Sequence, residues 1–131
     1  MIYLKKYYAT GSVIYNIVYF AVPGEVEDLS LKPGSHNISV NWRKPASNNY
    51  CVTQYVIYWS HPVNGSNASS IDPSEEDFNH SLVIDNLDAC VEYKVSVIAE
   101  NEKNESTGAV TCNTKTETAG NYHAQIILLF L

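Results

Sequence analysis

The sequence predicts an all-β protein, and three observations lead to that prediction. Apolar and polar residues alternate along several short runs, which is the period-two pattern of strands that bury one face. Proline, glycine, asparagine and serine cluster between those runs, as in the turns that join antiparallel strands. No run in the 131 residues has the periodicity of a helix of three turns. These features favour a two-layer sandwich of antiparallel strands over a parallel α/β sheet.

Seven antiparallel strands are expected, and turn residues separate them. The first ends at the pair Pro33-Gly34. Pro45 begins a loop after the second, because proline cannot donate to a central strand ladder. The long polar stretch His61–Asp77 is expected to hold only one short strand. The strands in chain order are Glu25–Leu31, His36–Trp42, Val52–Ser60, Ala68–Ile71, Phe78–Ile84, Val91–Glu100 and Ala109–Thr116.

The stretch from Leu87 to Ala99 is expected to contain a turn followed by a strand. Tyr93, Val95, Val97 and Ala99 fall on one face at period two, and Leu87 lies six residues before Tyr93. This spacing resembles a tyrosine corner, in which the tyrosine hydroxyl bonds to backbone a few residues upstream. Two earlier strands have apolar faces of the same kind. Their residues are Ile38, Val40 and Trp42, then Tyr55, Ile57 and Trp59.

The order Trp42, Tyr55, Leu87 and Tyr93 along the chain resembles that of a fibronectin type III domain, the immunoglobulin-like sandwich of extracellular receptors. The resemblance runs from about Gly24 to Glu117. It implies that these four residues form the core. It also implies that loops at the poles, or the faces of the sheets, contact a protein partner. Variable loops on a rigid scaffold usually carry recognition. The best candidates are the BC loop, Ala46–Tyr50, and the FG loop, Asn101–Gly108.

Composition limits the partners. The chain is 45% hydrophobic, which argues against disorder, and its length suits one domain. Its net charge of −6 and its eight lysine and arginine residues make nucleic acid an unsuitable partner, because phosphate binding needs clustered basic residues. Arg-Gly-Asp is absent from the FG loop, and the Trp-Ser-x-Trp-Ser box of cytokine receptors is absent too.

Five Asn-x-Ser sequons indicate a secretory glycoprotein. Asparagine, serine and threonine are common in β-loops, but chance alone would give fewer sequons. Each acceptor is expected on a turn or an exposed strand position. If Asn104 in the FG loop is glycosylated, a partner is expected to use a sheet face or the other pole. The acceptors are Asn37, Asn64, Asn67, Asn79 and Asn104.

Three cysteines permit one disulfide and leave one thiol over. Cys51 opens the third strand and Cys112 lies early in the last, so both are expected near one pole, with Cys90 at the other. In the fold that the resemblance implies, the strand of Tyr93 lies between those of Cys51 and Cys112. The separation of this pair can therefore exceed the bridging limit of about 7 Å between Cα atoms. The connectivity stays open.

The two ends of the chain differ from the domain, so three parts are expected: 1–23, 24–117 and 118–131. Residues 1–23 have a basic pair, Lys5-Lys6, before an apolar run, as in a signal peptide. Non-native sequence, or a strand over Ser12–Phe20 left from a preceding domain, is the alternative. The tail Ala124–Leu131 is apolar but too short to cross a bilayer, which takes about 20 residues.

No catalytic, cofactor or metal motif stands out, and we expect no enzyme. The four histidines, His36, His61, His80 and His123, have no metal-binding spacing and are expected to be solvated loop residues. Asp72, Glu75, Glu76 and Asp77 lack the alternate-residue spacing and the glycine of a calcium loop, so a solvated charge run is expected. There is no glycine-rich phosphate loop.

Two functional hypotheses follow. The first is a binding or spacer module from the extracellular part of a cell-surface receptor or adhesion protein, attached to the membrane only through a missing transmembrane segment. The second is an extracellular fragment of a receptor tyrosine phosphatase whose catalytic domain is missing from this chain. A transmembrane helix and a Cys-x₅-Arg motif after Leu131 would distinguish the second hypothesis from the first. The fold alone names no ligand.

Overall fold

The computed structural model describes residues 2–19, 21–74 and 78–120. Within these residues nearly all regular structure is β, which confirms the predicted class. One 3₁₀ turn covers Asn49–Cys51. The strands are β1 (Ile2–Ala9), β2 (Ser12–Tyr19), β3 (Glu27–Pro33), β4 (Ile38–Arg43), β5 (Gln54–His61), β6 (Gly65–Ile71), β7 (Asn79–Ile84), β8 (Glu92–Glu100) and β9 (Ala109–Lys115).

Seven of these strands form the expected antiparallel sandwich. One sheet has the order β3-β4-β7 and the other the order β6-β5-β8-β9. Most strand boundaries lie within two residues of the prediction. The exception is β6, which begins at Gly65 and not at Ala68. Gly65 has a φ of 86°, which closes a three-residue turn after β5 and lets pairing start at once.

The N-terminal residues form a separate hairpin. Each residue of β1 pairs antiparallel with one of β2, from Ile2 with Tyr19 to Ala9 with Ser12. Thr10 and Gly11, between the strands, have φ values of 45° and 78°. Two consecutive residues with positive φ are typical of tight hairpin turns. That residues 1–23 are signal-like or non-native stays a prediction, and the tail Ala124–Leu131 lies outside the described residues.

The core lies between the two sheets, on the inner phase of the strands. Trp59, on the same face of β5, is partly buried and packs against this core. Alternate residues of β8 are buried along most of the strand, since β8 is central in its sheet. The buried apolar residues are Val26, Ile38, Val40, Trp42, Val52, Tyr55, Ile57, Ile84, Leu87, Tyr93, Val95, Val97 and Ala99.

Three rings form an aromatic cluster near one end of the core, and one of them corrects a prediction. The ring centroids of Trp42 and Tyr55 are 5.5 Å apart, and His80 lies 4.6 Å from Tyr55 and 6.0 Å from Trp42. His80 was expected in solvent, but only 8% of it is exposed. The register explains this, because His80 is the direct partner of Trp42 across β4 and β7 and so shares its inward face.

Candidate interaction surface at the loop pole

The BC loop and the FG loop lie at the same end of the sandwich, which we call the loop pole. The start of β5 pairs there with the end of β8, as shown by Gln54 opposite Glu100. Residues 21–24, which we call the lead-in segment, reach the same end before β3 begins. The loop pole therefore consists of three pieces of chain that are far apart in sequence.

The BC loop holds one side of the lead-in segment. Asn48 has a left-handed backbone, with a φ of 53°, and its Nδ2 donates to the carbonyl of Val22 at 2.9 Å. The backbone N–H of Gly24 donates to the carbonyl of Ser47 at 3.0 Å. A Cβ at Gly24 would collide with Ser47 Oγ. A larger residue at position 24 would therefore require the Ser47 side chain to move.

The FG loop holds the other side. Asn101 Nδ2 donates to the carbonyl of Ala21 at 3.2 Å, and the backbone N–H of Thr107 donates to the carbonyl of Pro23 at 3.2 Å. The Thr107 hydroxyl donates to the same carbonyl. Pro23 is fully buried. The lead-in segment is thus fixed between the two loops by hydrogen bonds to both.

Asn101 also sets the shape of the FG loop. Only 2% of it is exposed. Its Oδ1 accepts from the backbone N–H groups of Lys103 and Glu105, both at 3.0 Å, and its Nδ2 donates to Glu105 Oε2 at 3.2 Å. Asparagine side chains stabilise turns in this way by pairing with nearby backbone. One buried amide therefore joins the turn of the loop to the lead-in segment.

Asn104 sits in the same loop with a positive φ of 59° and an exposed side chain. Gln54 Nε2 donates to Asn104 Oδ1 at 3.1 Å and to Glu100 Oε2 at 2.7 Å. The contact engages the amide oxygen of Asn104 and not its nitrogen. Because an N-linked glycan attaches to the nitrogen, the bond to Gln54 is compatible with glycosylation.

Tyr50 is the most exposed aromatic residue on the BC loop, with 79% of its surface accessible. It lies in the 3₁₀ turn Asn49–Cys51, which follows the left-handed Asn48. Backbone bonds from Cys51 and Val52 to Asn48 and Asn49 hold this turn. Tyrosine rings of this kind are enriched at protein interfaces.

The opposite end, which we call the corner pole, contains the tyrosine corner. Tyr93 Oη accepts from the backbone N–H of Asp88 at 3.0 Å. His61 Nε2 lies 3.2 Å from Asp88 Oδ2, and the His61 ring meets the Tyr93 ring at 5.5 Å. The Thr116 hydroxyl donates to the carbonyl of Asp88 at 2.6 Å and accepts from the N–H of Val91 at 2.9 Å. Leu87 is buried beside this corner.

All five sequon asparagines have exposed side chains. Asn37 lies in the turn after Pro33, and Asn64 lies in the turn between β5 and β6. Asn67 is within β6, Asn79 begins β7, and Asn104 is in the FG loop. The buried asparagine of the loop pole, Asn101, is not in a sequon.

The three cysteines are free thiols, so the disulfide considered from sequence is not formed. Cys112 was placed near a pole but lies in mid-strand, opposite Val95, with its Sγ 3.9 Å from the carbonyl of Leu29. Cys51 precedes β5, and β8 separates β5 from β9. Two strand spacings are about 9.6 Å, which exceeds the bridging distance. Cys90 is exposed near Glu117 at the corner pole.

Burial affects two titratable groups near the loop pole. It raises the pKa of Tyr55 to about 12 and raises the pKa of the Cys51 thiol. A raised thiol pKa disfavours the nucleophilic thiolate. Within the described residues, no group of three or more histidine, cysteine or acidic side chains could hold a metal ion. The acidic residues 75–77 and His123 lie outside the described residues.

The histidines that are described have structural contacts. His36 Nδ1 lies 2.9 Å from the carbonyl of Leu87, so this nitrogen carries the proton and donates. His61 Nδ1 accepts from the N–H groups of Val63 and Asn64, both at 3.0 Å. His61 is therefore largely enclosed by its own turn and by the corner, and the expectation of a solvated loop residue is wrong for it.

Sequence reasoning found both loops but missed the lead-in segment. Residues 21–23 of the segment were assigned to the part of the chain before the domain, and Gly24 to the start of the domain. The available signals were Asn48 and Asn101, which precede turns. Neither asparagine reveals from sequence which residue it bonds to, since Asn101 and Ala21, for example, are 80 residues apart.

Comparisons with known proteins point to one family. A sequence model of the fibronectin type III domain matches residues 24–112. The fn3 domain of human collagen alpha-1(XX) chain is similar in structure, with 17% identity, a TM-score of 0.64, and coverage of 79% of this chain and 94% of that one. The FN5 domain of Drosophila Lar is 20% identical, with a TM-score of 0.52 and coverage of 72% and 98%. These identities show the fold alone. No curated protein sequence matches the chain.

Proposed function

The chain belongs to the fibronectin type III family, and on this premise we propose that it is an extracellular module of a cell-surface receptor or adhesion protein that binds a protein partner or spaces neighbouring domains. Domains of this family are generally non-catalytic and commonly mediate contacts between proteins. No helix in the described part of the chain has the length and apolarity that a membrane span requires.

The observation that carries the proposal is the exposure of all five sequon asparagines. An acceptor must be accessible for a glycan to remain on the folded protein, and one buried acceptor would weaken the argument. The loop pole supports the binding role separately. Its loops are already ordered by hydrogen bonds to the lead-in segment, so binding through Tyr50 would lose little conformational entropy.

Secretion from a eukaryotic host tests both parts. We expect glycosidase treatment of the secreted chain to lower its mass, with a variant lacking all five acceptor asparagines as the unshifted control. Fluorescent multimers of the same protein are then applied to a panel of cell types. Binding through the loop pole should be lost in Tyr50→Ser and kept in Tyr58→Ser, which alters an exposed ring on β5. Secreted protein with intact sequons and no mass shift would contradict the extracellular assignment.

The glycan state of Asn104 decides which surface binds. A glycan in the FG loop would cover Tyr50's pole, so Asn104→Gln should increase binding through that pole. If Asn104 is fully glycosylated and Tyr58→Ser, not Tyr50→Ser, abolishes binding, the partner uses the sheet face. A multimer that binds no cell type supports the spacer role. The phosphatase alternative depends on sequence beyond Leu131 and stays a hypothesis.

A further inference from the structure

The four edge strands of the sandwich are protected in different ways. An edge strand presents unpaired backbone donors and acceptors, and proteins protect such edges with charge, proline, bulges or a covering segment. Edge β3 contains Glu27, Asp28, Lys32 and Pro33, with a register shift between Glu27 and Ser30. Edge β9 contains Lys115 and lies beside β3. Neither strand contains a sequon.

The other two edges have no charged residue and no proline. Strand β6 reads Gly-Ser-Asn-Ala-Ser-Ser-Ile, and β7 reads Asn-His-Ser-Leu-Val-Ile. The pairing of β6 with β5 has no register shift. Each of these two uncharged edges contains a sequon, at Asn67 in β6 and at Asn79 in β7. A sequon thus occurs on the edges that lack the usual protection.

We propose that a glycan on Asn67 protects the edge of β6, and that without it β6 pairs antiparallel with β6 of a second copy of this chain. The inference rests on the proposed function, because N-glycans are added in the secretory pathway. The acceptor lies near the middle of the strand, not in a loop, so its glycan would be carried on the part of the edge that would pair.

A second copy fits this edge because the strand is complementary to itself. Pairing about a two-fold axis at Ala68 sets Gly65 opposite Ile71, Ser66 opposite Ser70 and Asn67 opposite Ser69. All of these side chains are uncharged, so two copies meet without repulsion although the whole chain has a net charge of −6. The contact is isologous and extends the four-stranded sheet across both copies.

The inward phase of Asn67 explains why its glycan would prevent this pairing. Asn67 pairs with Trp59 and therefore shares its inward-facing side of the sheet. With a two-fold axis perpendicular to the sheet, the inward face of one copy continues as the inward face of the other. The two Asn67 side chains would therefore both point into the cleft between the two β7 edges. Because Asn67 of each copy lies opposite Ser69 of the other, the two Asn67 residues would be diagonal neighbours about 7–8 Å apart. Two glycans cannot occupy that cleft while the strands pair.

Adjacent serines provide matched variants. Ser69→Ala removes the sequon and keeps Asn67, whereas Ser70→Ala makes the same chemical change one residue later and leaves the sequon intact. In the secreted full chain, we expect the molar mass from light scattering to double for Ser69→Ala and for Asn67→Gln. Wild type, Ser70→Ala and Asn104→Gln should remain monomeric. Adding Ala68→Lys to Asn67→Gln should restore the monomer, because the two lysines would face each other across the axis.

The outcomes separate this inference from the proposed function. A glycan on Asn67 in the wild type together with a monomeric Asn67→Gln variant overturns the inference alone. A secreted wild type that carries glycans elsewhere but none on Asn67 also overturns it and leaves the extracellular assignment standing. Association that Ala68→Lys does not reverse, including capture of a different protein, rules out pairing through β6.

Discussion

Two side-chain hydrogen bonds, one at each pole of the sandwich, differ in range. At the corner pole, the hydroxyl of Tyr93 bonds to the backbone of Asp88, five residues earlier. At the loop pole, the amide of Asn101 bonds to the backbone of Ala21, 80 residues earlier. The corner is therefore a local motif that the sequence shows directly. The bond from Asn101 to the lead-in segment forms only when residues far apart in sequence come together, so no local pattern shows it.

An aromatic pair or cluster lies beneath each pole. Trp42, Tyr55 and His80 are near the loop pole, and His61 meets Tyr93 near the corner pole. The Trp42 ring is almost fully buried, with 1% of its surface exposed. Among the described residues, Trp42 Nε1 is buried without a hydrogen-bond partner. Packing, and not polar pairing, therefore dominates the contribution of this ring.

The largest expected effect comes from Trp42→Ala. Loss of the ring leaves a cavity and should reduce the free energy of unfolding by about 3–5 kcal/mol. Chemical denaturation measures the loss. Hydrogen exchange should show more opening at the Gly24 and Thr107 amides of the loop pole than at the Asp88 amide of the corner pole.

Trp42→Phe is the matched control for that variant. It keeps an aromatic ring in the cluster and removes the unpartnered Nε1 donor, so its loss of stability should be clearly smaller. Equal losses for the two variants, or equal opening at both poles, would contradict the view that this ring supports the loop pole by packing.

Asn101→Ala should have an intermediate effect that is confined to the loop pole. The substitution removes the acceptor for two backbone N–H groups and the donor to Ala21. Buried hydrogen bonds of this kind contribute about 0.5–1.5 kcal/mol each, so a total loss of about 2 kcal/mol is expected. Limited proteolysis should then cleave within residues 21–24.

The control for this prediction is Asn113→Ala, which truncates an exposed asparagine on β9. Its stability should change little, and the lead-in segment should stay resistant to protease. Resistance of the lead-in segment in Asn101→Ala would mean that Asn48, Ser47 and Thr107 hold it without Asn101.

The features that could be predicted from the sequence are those that depend on contacts between residues close together in the chain. Alternation placed Trp42, Tyr55 and Tyr93 on inner faces because side-chain phase is a local property of a strand. Alternation did not predict that His80 is buried, because a polar residue at that position is expected from sequence to be solvated. The hydrogen bonds that hold the lead-in segment join residues that are far apart in sequence, so no local pattern connects them. The exposure of the sequons could be anticipated from the sequence. That two of them lie on the uncharged edge strands could be recognised only once the order of strands in the sheets was known.

The smallest expected effect is that of Tyr93→Phe, and it isolates the hydrogen bond of the corner pole. The ring remains, so packing against His61 is retained, and only the hydroxyl that accepts from Asp88 is lost. One such bond contributes about 1 kcal/mol, and the midpoint of urea denaturation should fall accordingly without a change in the slope. Tyr58→Phe removes a hydroxyl from an exposed ring and should have almost no effect. Hydrogen exchange should quicken at the Asp88 amide and stay unchanged at Gly24 and Thr107, the reverse of the pattern expected for Trp42→Ala. If Tyr93→Phe and Tyr58→Phe are equally stable, the corner is held by Thr116 and the backbone, and the two poles would no longer differ in the way described.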